Sequence, residues 1–473
     1  MKKLLLFAII LSMGMATYSQ VTFEKTYSIV EGQSDEAHCM IQTADGGYLL
    51  GGASYVDDLG WFDVALLKTN DKGEKEWLKT YGIGEFTIEV AYDIIETNDG
   101  GYMVVSGTDG FTGDNDVWII KIDNNGDSLW SKHFGGSGAQ YGSAGVQNSD
   151  GSYIFVGSNN GEGSAGQDDV YIVKTDEEGN VLWSKNYGTS ITDYANDVQI
   201  TSDGNYIVGA SVNNNQDGYL LKLDANGDTI WTKIFGGALT EEIFSVKQTS
   251  DGGYVLAGRN NTEGAGNYDV WLVKTDGDGN QTWSKTFGGE KKDIGESVSI
   301  TDDGGFFIVG YTESFTPAEE DSDMYWIKTD NNGDTLWTKH FGDIKDDGGY
   351  AGVQAEDGGL AGAGYFYLPG EELEFYLVKM TADGTVSVSN RLAENNQLKV
   401  YPNPVIDNAV IEFNNPDHLP YNLVVRDVSG RTIRTIQNIT GNKVQFERDD
   451  LSSGFYFIEL SGDCVYTSKL IVQ

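Results

Sequence analysis

Seven copies of one unit follow one another through this chain, about fifty residues apart. A chain patterned that way folds as stacked or ringed modules rather than around a single core. The dipeptide Asp-Gly recurs at Asp45, Asp99, Asp150, Asp203, Asp251, Asp303 and Asp357. Three positions after each Asp stands Tyr48, Tyr102, Tyr153, Tyr206, Tyr254, Phe306 or Leu360, opening a short apolar run such as "YVLAG". A second run, "DVWLVK" in one copy, ends at Lys68, Lys121, Lys174, Lys222, Lys274, Lys328 and Lys379. Five residues beyond every lysine is a glycine: Gly73, Gly126, Gly179, Gly227, Gly279, Gly333 and Gly384. Nine beyond the first six is a tryptophan: Trp77, Trp130, Trp183, Trp231, Trp283 and Trp337.

Each period holds four short strand candidates. Asp-Gly between apolar runs signals a hairpin, because glycine supplies the positive φ of the turn. Runs like "DVWLVK" are apolar on both faces, as a strand sandwiched between sheets must be. Four-stranded antiparallel units at this period predict an all-β fold, a seven-bladed β-propeller over residues 20–384. The segment "FEKTYS", Phe23 to Ser28, mimics "WSKTFG", and the seventh copy has Val388 in place of its tryptophan. The first strand is expected to complete the last blade and close the ring, leaving no free sheet edge. Closure within the seventh copy by "TVSVSN" is the alternative.

The stretch "KTDNNGDTLWTKHFGD" (residues 328–343) looks like a calcium loop. Two residues after the lysine, however, the copies carry Asn70, Asp123, Asp176, Asp224, Asp276, Asp330 and Thr381. Four residues after it they carry Lys72, Asn125, Glu178, Asn226, Asp278, Asn332 and Asp383. A charged lysine cannot ligate calcium, and only the glycine holds throughout. What repeats is a turn. The hairpin resembles the Asp-box and the tryptophan-docking motif of quinone-dependent propellers, offset by about one residue. That resemblance implies a tryptophan clamping adjacent blades and carries over no cofactor. An acid also stands five residues before every lysine: Asp63, Asp116, Asp169, Asp217, Asp269, Asp323 and Glu374. These are either a ring of cation sites or, as we read them, carboxylates that satisfy backbone N–H groups or pair with the lysines.

The net charge of −41 excludes ordinary nucleic-acid binding and suits an extracellular protein. Cys39 and Cys464 match no metal or redox spacing, and His38, His133, His340 and His418 are scattered, so no zinc site is expected. His133 and His340 read as exposed strand positions rather than bases. The opening "MKKLLLFAIILSMGMATYSQ" reads as a signal peptide, residues 1–19, cut after Ser19. No other stretch is apolar enough to span a membrane. A monomer is expected.

Composition shifts near residue 385. All ten tryptophans precede it, while Pro402, Pro404, Pro416 and Pro420 follow it. Residues 385–397 read as a polar linker and 398–473 as a small β-sandwich. This module resembles the C-terminal sorting domain of type IX secretion cargo. The matching residues are Tyr401, Pro402, Asn403 and Pro404; "DVSGR" with Gly430 and Arg431; "LSSGFYFIEL" with Gly454 and Tyr456; and the terminal "KLIVQ" with Lys469. The resemblance implies recognition by the outer-membrane translocon, removal near the linker, and a mature protein secreted or held at the cell surface.

A feature found in every blade is architecture, so a binding site is expected where the sevenfold pattern breaks. It breaks in the loops before the lysine-ended strands of copies one, six and seven. "SYVDDLGWF" contributes Tyr55, Asp57, Asp58 and Trp61; "TESFTPAEEDS" contributes Phe315, Glu319 and Glu320; "YFYLPGEEL" contributes Tyr365 and Tyr367. Aromatic platforms with carboxylates suit a glycan, peptide or protein ligand, and packing within their own loops is the bland alternative. No nucleophile elbow, P-loop or metalloprotease helix is present. The other functional reading is a hydrolase or lyase using Asp57, Asp58, Glu319 and Glu320 as paired carboxylates. A third is structural calcium at residues 112–117 or 319–323.

Overall fold

The computed structural model describes residues 22–384 apart from 31, 56–60, 85–86, 110–114, 166, 215, 317–320, 343–344 and 369–371. It also describes residues 398–473 apart from 414, 416–420, 428–430, 449–450 and 462–464. The chain divides between residues 385 and 386 into two compact units.

The first unit consists of seven four-stranded antiparallel sheets. Blade 1 runs outward from Asp35–Gln42 through Tyr48–Tyr55 and Phe62–Thr69 to Lys75–Tyr81. The inner strands of the other blades are Glu89–Glu96, Gln140–Gln147, Tyr194–Ile200, Glu241–Gln248, Asp293–Ile300 and Gly348–Gln354. Each touches the inner strands on either side, so the seven enclose a channel. Second and third strands are buried almost throughout, because each sheet is covered by a neighbour on both faces.

Blade 7 takes its outer strand from the start of the propeller. Phe23–Tyr27 pairs antiparallel with Glu372–Met380, setting Phe23 opposite Lys379 and Tyr27 opposite Phe375. This is the ring closure expected from "FEKTYS"; the "TVSVSN" alternative lies outside the described residues.

The outer strands also explain the invariant turn glycine. Each tryptophan ring lies on the turn of the next blade, so a Cβ at Gly227 would sit 2.7 Å from Trp183, and one at Gly279 2.7 Å from Trp231. Those glycines also have φ of +76° and +75°, where other residues are strained. At the closure Phe23 replaces the tryptophan, and a Cβ at Gly73 would meet its ring at 2.7 Å.

On the same face the buried repeat lysine binds the aspartate of the Asp-Gly turn. The distance is 2.8 Å for Lys68–Asp45, 2.9 Å for Lys121–Asp99, 3.1 Å for Lys222–Asp203 and 2.7 Å for Lys379–Asp357. Blade 3 differs, for Lys174 turns to the Tyr206 hydroxyl at 3.3 Å and the Ala225 carbonyl at 3.4 Å.

The second unit is a sandwich of a three-stranded and a four-stranded sheet. Ala409, Ile411 and Phe446 from one sheet pack with Leu423, Val425, Ile458, Leu460 and Leu470 from the other.

Candidate functional site at the channel mouth

Every inner strand carries a β-bulge at the same place. The register slips between Ala37 and Cys39, Ala91 and Asp93, Gly142 and Ala144, and Ala195 and Asp197. It slips again between Ile243 and Ser245, Gly295 and Ser297, and Gly349 and Ala351. A bulge leaves one residue out of the ladder and re-aims its side chain. The seven bulged residues are His38, Tyr92, Ser143, Asn196, Phe244, Glu296 and Tyr350. Here, in an otherwise repetitive sheet, the copies diverge in size, charge and chemistry.

The bulged residues of blades 7, 1 and 2 meet. The His38 ring lies 4.8 Å from that of Tyr350 and 6.0 Å from that of Tyr92, which is 41% exposed. Tyr365, on the second strand of blade 7, stands 5.8 Å from Tyr350. Glu36 Oε2 is 3.6 Å from His38 Nε2. Burial pushes the His38 imidazole down to about 4, so it is neutral at pH 7. Burial, then the Tyr365 hydroxyl and the Glu296 and Glu36 carboxylates, drive the Tyr350 hydroxyl up. Glu296 is itself raised to about 7, chiefly by burial. Beyond it Arg259 pairs with Glu242 at 2.5 Å.

Of the residues singled out from the irregular loops, Tyr365 and Tyr55 join this cluster. The Tyr55 ring lies 3.9 Å from that of Phe62 with the planes tilted by 51°, and burial, then the Glu36 charge, raises its hydroxyl. Trp61 adjoins Phe62 and is half-buried. Tyr367 sits under Lys345 Nζ at 4.2 Å, and its amide donates to Asp347. Phe315 packs on Tyr325 of its own blade at 5.6 Å. Asp57, Asp58, Glu319 and Glu320 lie outside the described residues, as do residues 112–114 of the first calcium candidate and 319–320 of the second.

The acids before the lysines tie down loops. Asp169 accepts the Ala165 amide at 2.6 Å, and Asp269 accepts those of Ala265 and Gly266 at 2.9 and 3.2 Å. Asp323 binds Nδ1 of His340, whose side chain is exposed. The blade's lysine lies at the other end of the strand and, in the six blades other than the third, pairs with the Asp-Gly aspartate instead. A second ring escaped the sequence reading, although it stands ten residues before each Asp-Gly aspartate: Asp35, Glu89, Gln140, Asp193, Glu241, Asp293 and Asp347, all buried. Asp35 accepts the Ile29 amide at 2.7 Å, Glu241 that of Gly237 at 2.8 Å and Asp293 that of Gly289 at 2.8 Å. Among the described residues no three acids, histidines or cysteines are grouped to hold a metal ion.

The opposite end of the channel holds a polar cavity of about 550 Å³ bordered by Lys247, Gln248, Ser299 and Gln354. Its polar groups are engaged within the ring: Lys247 binds Asp197 at 2.8 Å, and Gln354 accepts the Asp302 amide at 2.7 Å.

In the C-terminal unit Asn403 stitches its strand to the end of the chain. Its Nδ2 donates to the Lys469 carbonyl at 2.8 Å, and its Oδ1 accepts the Ile471 amide at 2.9 Å. The Tyr401 hydroxyl donates to Glu412 at 2.6 Å, and that of Tyr456 to the Ser452 carbonyl at 2.9 Å. Gly454 opens the strand Gly454–Ser461; Arg431 and Lys469 are exposed, and Gly430 lies outside the described residues. Residues 399–473 match the family described as the secretion system C-terminal sorting domain. The C-terminal unit is a type IX sorting domain. Its cargo is exported to the cell surface or released, and no helix among the described residues is long and apolar enough to cross a membrane.

The comparison with curated proteins returned no match for the cargo chain. Among solved structures it is similar to a protein of unknown function from Dyadobacter fermentans, at 16% identity and TM-score 0.41, covering 61% of this chain and 93% of that one. The Pan2 WD40 domain of Neurospora crassa shares 10% identity at TM-score 0.45, over 72% and 88%. A puromycin hydrolase shares 12% at TM-score 0.48, over 81% and 60%. The blade count and closure rest on this chain's own strand pairing.

Proposed function

We propose that the exported propeller is a binding module whose glycan, peptide or protein ligand docks on the bulged residues at the channel mouth. The observation that carries this reading is the bulge itself. One backbone irregularity repeats in all seven blades, and the residue it presents differs from blade to blade in size, charge and chemistry. Where backbone is uniform and side chains diverge, the scaffold is common and the surface is specialised. Rings and polar groups offered together are what recognition sites use.

Probing glycan and peptide arrays with the full chain, with Tyr350→Ala beside it, tests the reading. Bound ligands should be lost on Tyr350→Ala and kept on Phe315→Ala, without bond cleavage in a product assay. Ligands kept by Tyr350→Ala would place recognition elsewhere.

A further inference from the structure

Around the mouth the chain lays its own cations on aromatic rings. Arg259 Cζ is 4.6 Å from the ring centre of Tyr268 and 5.8 Å from that of Phe244, while its guanidinium pairs with Glu242. Lys292 Nζ is 4.9 Å from the Tyr311 ring and Lys345 Nζ 4.2 Å from the Tyr367 ring. A cation over an aromatic face is thus built repeatedly on blades 5, 6 and 7, and at Arg259 a carboxylate completes it.

The cluster on blades 7, 1 and 2 has the rings and the Glu36 carboxylate without a cation over the rings, and Glu296 stands on the neighbouring bulge of blade 6. Among the described residues no lysine or arginine lies over Tyr92, Tyr350 or Tyr365. Glu36 reaches the cluster through His38, whose Nε2 is 3.6 Å from its Oε2 and whose ring lies 4.8 Å from that of Tyr350. Glu296 makes no hydrogen bond or ion pair with any described residue, and the charges that reach it include Arg259 and Lys292. Resting on the binding reading above, we propose that the ligand presents a primary amine or guanidinium, as a lysine- or arginine-bearing peptide does. Glu36 and Glu296 receive it against the rings of Tyr350 and Tyr365. Such a group gains from the ring faces and from charge-assisted hydrogen bonds together. The net charge of −41 draws it in from a distance.

The test titrates the full chain with tetralysine, its side-chain-acetylated counterpart and tetraglutamate, at about 0.15 M salt, where distant surface charge is largely screened. Tetralysine should bind at least about tenfold more tightly than the other two, and Glu36→Gln with Glu296→Gln should remove about tenfold of that affinity. Glu178→Gln, on an exposed turn of the opposite face, should change nothing, and Tyr350→Phe should retain binding where Tyr350→Ala loses it. Equal binding of the acetylated peptide, or an equal loss on Glu178→Gln, overturns the cation assignment. If an uncharged array ligand is lost on Tyr350→Ala but kept on the glutamine pair, the mouth reading stands and the cation inference alone fails. If Tyr350→Ala affects no ligand, the mouth reading falls and this inference with it.

Discussion

Phe23 lies on Gly73, the first strand of the propeller covering the outer turn of its first blade. A Cβ on Gly73 would stand 2.7 Å from the Phe23 ring, at a φ of +68°. In the blades that follow, a tryptophan covers the corresponding glycine of the next blade. Phe23 is therefore the seventh member of a ring of clamps, although more than three hundred residues separate it from the strand it pairs with. Gly227→Ala, set against Trp183, should cost about 1–3 kcal/mol through φ strain and the clash together. Phe23→Ala should cost about 3 kcal/mol, as the loss of a buried aromatic does, and urea unfolding with unchanged m-value would measure both.

The lysine pairs provide an internal control. Asp203→Ala leaves the Lys222 ammonium buried with, among the described residues, the Thr201 and Tyr254 hydroxyls for partners. Asp150→Ala removes no such pair, because Lys174 is already turned away. Asp203→Ala should therefore be the more destabilising of the two, by at least about 1 kcal/mol. Equal losses in thermal melts would show that the repeat lysine is not held by its turn.

Stability should rise on mild acidification. Burial raises Asp35 to about 6, and Asp93 and Glu296 to about 7. Free carboxylates titrate near pH 4, so between about pH 4 and 7 the folded state holds more protons and stability falls as pH rises. His38, lowered to about 4, works the other way as pH falls below about 6.5, but it is one group against three. At lower pH still, Asp45 and Asp99 take over. Against burial, which raises them, lysine and threonine hydrogen bonds hold both down at about 2, and that contribution is lost as they protonate. The melting temperature should peak near about pH 5 and fall toward both pH 8 and pH 3. A monotonic rise from pH 4 to pH 8 would contradict the assignment of these buried acids.

In the sorting domain Asn403→Ala removes two hydrogen bonds that hold the Tyr401–Pro404 stretch to the terminal strand. Export should fall severalfold, read as cargo reaching the surface or medium relative to the periplasm, and Tyr401→Phe should be milder because its Glu412 contact is exposed. Normal export of Asn403→Ala would show that this stitch is not needed for recognition.

The architecture was legible because turn chemistry is local. Asp-Gly fixes a hairpin, a glycine under an indole admits no substitute, and "FEKTYS" repeats the outer-strand pattern well enough to reveal its place. The mouth was less legible. The long loops are where the sequence breaks its symmetry most visibly, and Tyr365 and Tyr55 lie at their edges. His38, Tyr92, Glu296 and Tyr350 break the symmetry more sharply, but they sit inside short strands. There a bulge shifts the alternation by one residue and hides which side chain faces the channel. The signal was the position three residues after the buried acid of each inner strand. The acids themselves were masked by Gln140 in the series and by neighbouring glutamates such as Glu36 and Glu242.

Tyr350 and Tyr365 belong to blade 7, and Glu36 and His38 to blade 1, so the candidate site exists only if the ring is closed by residues 23–27. Amide hydrogen exchange over those residues tests this most directly. A closed ring gives them protection approaching that of the outer strand Ser128–Phe134, an ordinary blade edge. Exchange at the rate of an unstructured peptide would mean an open ring, and with it the loss of the mouth.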